Sequence, residues 1–162
     1  AEIRQGYLFI GDNQALRVRM LNSVFPHENE SILTYKHKVF SFDRDRLIEI
    51  EQRLNQLDAL ELWRECSQKL VKHRYTFYYN DLKWELDRFM DGEDVYFWMM
   101  ELELSEGQTP PEDIPFKDHL LLAVDQKDDR FSNTKLANID YARTLYEKVK
   151  AQAITQALLE LR

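Results

Sequence analysis

The chain of 162 residues contains one cysteine, Cys66, which excludes an intramolecular disulfide framework and a cysteine-based zinc site. Basic residues are in the minority, 22 against 29 acidic, and the net charge of −7 argues against general binding to nucleic acid or anionic membrane. Long apolar runs are missing too. Val95–Met100 and Leu120–Val124 are far too short to span a bilayer. The opening residues include Glu2, Arg4 and Gln5 and show no apolar targeting segment. Three of the four prolines fall within Ser105–Pro115, the only linker-like stretch, and low-complexity sequence and internal repeats are absent. A hydrophobic share of 44% suffices for a sizeable core. Together these features predict a reduced, soluble, cytoplasmic protein forming a single domain over residues 1–162.

The dominant period along the chain is two, which is the period of a strand. It marks Ala15–Leu21, Ile32–Phe40, Arg46–Glu51, Leu70–Tyr79, Leu82–Met90 and Val95–Leu104, and Ile3–Ile10 completes a set of seven. A polar break containing Pro26 is expected over Asn22–Ser31. Helices are predicted where Leu54, Leu57, Leu60 and Trp63 recur, and where Ile139, Ala142, Leu145, Tyr146, Val149 and Ala153 form a stripe. The expected class is α+β, antiparallel and dominated by β structure.

Charges sit on these strands in like-signed pairs. Arg17 and Arg19 flank Val18, Lys36 and Lys38 flank His37, and Lys72 and Arg74 flank His73. Glu49 and Glu51 flank Ile50, Glu85 and Asp87 flank Leu86, and Glu101 and Glu103 flank Leu102. On a strand, i and i+2 share a face, so each pair projects together. Like charges side by side repel, and a solvated sheet face usually mixes signs rather than sorting them by strand. Apolar residues outside and charges inside describe a barrel with a wet, charged lumen. Basic pairs suit phosphate oxygens, and acidic pairs suit oxygen-preferring Mg²⁺ or Mn²⁺. The pattern points to a metal-dependent site for a phosphate chain.

Gln5-Gly6-Tyr7-Leu8, Leu16-Arg17-Val18-Arg19, Leu33-Thr34-Tyr35-Lys36, Arg46…Glu49-Ile50-Glu51, Lys72-His73-Arg74-Tyr75, Trp84-Glu85-Leu86-Asp87 and Glu101-Leu102-Glu103-Leu104 follow one another in the order of the CYTH family. The chain thus resembles the triphosphate tunnel metalloenzymes, and Arg130–Ala137 is similar to the family's segment near the tunnel plug. The resemblance implies a closed antiparallel tunnel over residues 1–137, with an inserted helix and a C-terminal helix over 138–162. It implies phosphate binding by Arg17, Arg19, Lys36 and Arg74, with Lys38 ranked lower. Metal ligation is implied for Glu49 or Glu51, Asp87, Glu101 and Glu103, with Glu85 ranked lower, and water activation for Lys72 and Tyr7. The family's first-strand Glu-x-Glu-x-Lys signature is not found before Gln5. The resemblance therefore implies either a chain given in part or a member with fewer metal ligands.

The activity so implied is hydrolysis of a linear triphosphate, inorganic or on a small organic carrier, with Mg²⁺ or Mn²⁺ as cofactor. Three alternatives stand beside it: a class IV-type adenylate cyclase, a non-catalytic polyphosphate- or nucleotide-binding module, and a β-rich interaction protein. The expected partner is a small triphosphate or polyphosphate. A nucleic-acid duplex and a membrane are not expected, and a homodimer is left open. His27, His37, His73 and His119 are assigned to surface or packing, and Cys66 to a buried apolar position. Trp63, Trp84 and Trp98 are expected to pack strands against helices, and Asp125, Asp128 and Asp129 to form a solvated turn.

Overall fold

Alternation at period two yields seven strands in the computed structural model, which describes residues 1–24, 27–40, 46–105, 108–124 and 128–160. They are β1 (Glu2–Ile10), β2 (Gln14–Val24), β3 (His27–Val39), β4 (Arg46–Arg53), β5 (Gln68–Tyr79), β6 (Leu82–Asp91) and β7 (Asp94–Leu102). Helix α1 (Gln56–Glu65) separates β4 from β5, and α2 (Asn133–Leu136) and α3 (Ile139–Glu160) follow the strands. The seven-stranded sheet has the order β4-β3-β2-β1-β5-β6-β7, and every pair of defined register is antiparallel. That order has two ends, so the sheet of described residues is open where the sequence predicts a closed tunnel. The chain divides into two compact units, Ala1–Arg74 and Tyr75–Arg162.

In the first unit, β1 to β3 have an apolar face covered by α1. Val18, Ala59 and Cys66 are buried there, with Leu8, Met20, Leu33, Leu54, Leu62 and Trp63 packed around them. Asn55 starts α1 by accepting a hydrogen bond from the Asp58 amide at 2.9 Å, as an N-cap side chain should. Of the predicted Leu54–Leu57–Leu60–Trp63 stripe, Leu54 and Trp63 pack on this cluster, and Leu57 is exposed. At 100° per residue a step of three falls 60° short of a full turn, so such a stripe drifts around the helix. Ala59, Leu62, Trp63 and Cys66 keep the i, i+3, i+4, i+7 spacing and form the inner face instead.

Gly6 is where the sheet and α1 come closest. A Cβ at this position would lie 2.6 Å from Cys66 Sγ and 3.0 Å from Trp63 Cδ1. The expected break at Asn22–Ser31 is instead paired strand, with Asn22 opposite Asn29 and Val24 opposite His27. Backbone pairing continues through polar residues where neither face is buried, which hides the strand from a hydrophobic pattern. Phe25 and Pro26 lie outside the described residues.

In the second unit, β6 and β7 form a hairpin, and Phe97 meets the ring of Tyr146 on α3 edge-on. Ala142, Leu145 and Val149 are the buried residues of the α3 stripe. The Tyr96 hydroxyl donates to the Leu136 carbonyl at 3.0 Å, fixing α2 to β7. Trp98, expected to pack against a helix, is half exposed with the Arg88 guanidinium over its ring. Ser105, residues 108–115 and their prolines form no helix or strand, as their composition predicts.

Candidate functional site

The face of β1 to β5 opposite α1 is polar although much of it is buried. Residues directly opposite one another on neighbouring strands share a face. One rung runs Tyr7–Arg17–Thr34–Glu51 across β1 to β4, and the next runs Gln5–Arg19–Ile32–Arg53. Lys72 lies opposite Ile3, and Lys36 lies opposite Glu49. Gln5, Thr34 and Lys72 are fully buried, and Tyr7 nearly so.

These groups are joined by hydrogen bonds. Arg19 Nε and one terminal nitrogen both donate to Gln5 Oε1, at 3.2 and 3.1 Å, while Gln5 Nε2 donates to the Tyr7 hydroxyl at 2.7 Å. Arg17 donates to Thr34 Oγ1 at 3.1 Å, and Thr34 donates in turn to Glu51 at 3.3 Å. Lys36 forms an ion pair with Glu49 at 2.9 Å. Arg17 Nε is buried without a hydrogen-bond partner among the described residues. A buried donor left unpaired is costly, and Arg17 Nε has the capacity to pair with an acceptor from outside.

The electrostatics agree. Burial pushes the Arg19 guanidinium below its ordinary pKa, and the neighbouring Arg17 and Arg74 cations push it the same way. Tyr7 and Glu51 offset only part of this. A concentration of positive charge with little water around it suits an anion. Arg supplies forked donors that match phosphate oxygens, and Lys supplies a point charge.

The remaining predicted residues are distributed as follows. Arg74 follows Lys72 at i+2 on β5, and its backbone is tied to Ala1 at 2.8 Å. Lys38 is exposed near the end of β3. Tyr7 stands opposite Gln68, four positions along β5 from Lys72. Its hydroxyl is engaged by Gln5. In the second unit, Glu85 lies directly opposite Glu101, and Asp87 is fully buried at i+2 from Glu85. Lys83 reaches Glu85 at 3.1 Å. Glu103 is exposed and lies beyond the end of β7, which stops at Leu102 rather than at Leu104.

Sequence reasoning left Thr34 out of the site and noted Gln5 only as part of a motif. The signal for both was available, since a polar residue at a strand position aligned with charged neighbours shares their face.

Among the described residues no group of three or more His, Cys, Asp or Glu is arranged to hold a metal ion. Mg²⁺ is commonly bound by one or two carboxylates, with substrate phosphates and water completing its shell. The Glu85–Glu101 pair fits that kind of ion.

His37 and His73 lie off the polar face. The Tyr35 hydroxyl meets His37 Nδ1 at 3.1 Å, and His73 Nε2 is 3.8 Å from Glu2. Cys66 is buried, and burial raises its thiol pKa. Asp128 and Asp129 are engaged by Arg130 and Lys135, while Asp125 lies outside the described residues.

The fold and the polar face define a β-dominated protein with an anion-suited surface in its first unit. The chain is 31% identical over 116 residues to a protein of Acetivibrio thermocellus named inorganic triphosphatase. The match takes in 70% of this chain and 65% of that relative, so the chain spans less than two thirds of the relative's length. No protein-family model matches the chain. Among the described residues no helix is long and apolar enough to cross a membrane.

Proposed function

We propose that this chain is a CYTH-type triphosphatase that binds a linear triphosphate on the polar face of β1 to β5 and hydrolyses it. The observation that carries this reading is the half-buried Arg17–Arg19 pair, with Arg17 Nε buried and lacking a partner among the described residues. The name of the Acetivibrio thermocellus relative supports it. Arg17, Arg19, Lys36 and Arg74 would align the phosphate chain and neutralise its charge, and Lys38 would meet its outer end. Positioning and electrostatic stabilisation do most of the work in phosphoryl transfer, because there is little covalent chemistry for the protein to perform.

Lys72, buried on the same strand face as Arg74, would take a proton from the attacking water. Tyr7 would act at the other end of the Gln5 bridge, beside Arg19 rather than against Lys72. A Mg²⁺ or Mn²⁺ ion, when bound, supplies charge neutralisation of phosphate oxygens. Glu85, Glu101 and Asp87 are the carboxylates suited to hold it.

A second reading is a polyphosphate-binding module without catalysis. It is favoured by the engagement of Glu49 with Lys36 and of Glu51 with Thr34, which occupies both β4 carboxylates within the protein. Phosphate release from tripolyphosphate, measured with and without Mg²⁺ or Mn²⁺, separates the two. The triphosphatase reading requires metal-stimulated release that Arg17→Ala/Arg19→Ala abolishes. Binding without release by the intact protein supports the module.

A further inference from the structure

We propose that Thr34 and Gln5 are positioning residues that fix which edges of the Arg17 and Arg19 guanidinium groups are offered to phosphate. The inference rests on the phosphate-binding reading above and adds to it two uncharged residues with no assigned role. Both side chains are fully buried, and each touches one of the two arginines.

Proton bookkeeping makes the arrangement directional. A threonine hydroxyl has one proton, and that of Thr34 goes to Glu51 at 3.3 Å, so its lone pairs are left to accept from Arg17. A glutamine amide has distinct donor and acceptor ends. Because Gln5 Nε2 donates to the Tyr7 hydroxyl, Oε1 must face Arg19, where it accepts from Nε and a terminal nitrogen. Arg19 is thereby clamped along one edge, and a ligand would be met by its other terminal nitrogen. Among the described residues, Arg17 is held through a single terminal nitrogen, leaving Nε buried and unpartnered. A flexible arginine so tethered loses less conformational freedom when phosphate arrives, which is how preorganisation raises affinity.

The test is calorimetric titration of tripolyphosphate into the full chain, with a melting curve for each variant. Thr34→Val removes the hydroxyl at nearly constant shape and should weaken binding about tenfold, the scale of one lost hydrogen bond to a charged group. Thr34→Ser should restore affinity to within about threefold of wild type. In an Arg17→Met background, Thr34→Val should cost nothing further, because its effect runs through Arg17. Gln5→Met in an Arg19→Met background should behave in the same way, and this second cycle decides the matter if Thr34→Val does not fold.

Wild-type affinity in folded Thr34→Val or Gln5→Met, or losses that simply add to those of the arginine variants, would overturn the positioning roles. That outcome leaves the functional reading standing as long as Arg17→Met itself loses affinity. Equal binding by Arg17→Met and wild type, or no binding by wild type, overturns the reading and the positioning roles together.

Discussion

Glu85 and Glu101 stand directly opposite each other on β6 and β7, two carboxylates in one cross-strand pair. Like charges in that relationship are destabilising, by a few tenths to about 1 kcal/mol, and the Lys83 ion pair with Glu85 offsets part of the repulsion. A divalent cation would reverse the sign of the interaction. Mn²⁺ should therefore raise the melting temperature of the wild-type protein, and Glu85→Gln/Glu101→Gln should lose that rise. An unchanged Mn²⁺ response in the double variant would remove this pair from metal binding.

Lys72 is the largest fully buried side chain of the polar face. Lys72→Met keeps its length and removes its amine, so the variant separates chemistry from packing better than Lys72→Ala. Loss of a positioned base costs roughly 10²–10⁴-fold in rate, so kcat for tripolyphosphate should fall by that order with little change in KM. Lys72→Arg should not recover it, because a guanidinium does not give up its proton. Near-normal kcat in Lys72→Arg would reduce Lys72 to a binding cation.

The strands were legible because alternation at period two registers directly which residues share a face. Each like-charged pair, such as Arg17 with Arg19 or Glu49 with Glu51, could be assigned to one face of its own strand from spacing alone. What spacing cannot supply is register between strands. It left Glu103 on β7, which ends one residue earlier; the association of Tyr7 with Lys72 came from the resemblance, and pairing puts Gln68 opposite Tyr7 and Ile3 opposite Lys72. Thr34 and Gln5 escaped notice for a related reason. Their importance comes from what lies across from them, and neither carries a charge that would stand out along the chain. The polar hairpin end at Asn22–Ser31 was missed because its pairing is made by backbone groups, which leave no mark in side-chain hydrophobicity.

Gly6 ties the polar face to its support, since its neighbours Gln5 and Tyr7 are held in place where β1 passes under α1. The added methyl of Gly6→Ala would lie 2.6 Å from Cys66 Sγ and 2.8 Å from Cys66 Cβ, and both sit in a packed cluster. Overpacking of this kind typically costs about 1–3 kcal/mol. Chemical denaturation should show Gly6→Ala destabilised on that scale. A stability equal to wild type would mean that α1 can move away without loss.

Tyr96 gives the second unit an alkaline limit. Its phenol is buried and donates to the Leu136 carbonyl at 3.0 Å. Burial foremost, and the nearby Asp91 charge, push its pKa from the usual 10 up to about 12. Between those values the unfolded chain releases a proton that the folded chain retains. Fewer protons are then bound in the unfolded state, so stability falls as pH rises through that window. Below about pH 10 the contribution is intact, and above about pH 12 it is lost. Tyr96→Phe removes the titrating group, together with a hydrogen bond worth about 1 kcal/mol at neutral pH. The variant should therefore start less stable than wild type and lose less between pH 10 and pH 12. Melting temperatures across that range decide the point: parallel declines for the two proteins would show that folding does not raise the Tyr96 pKa.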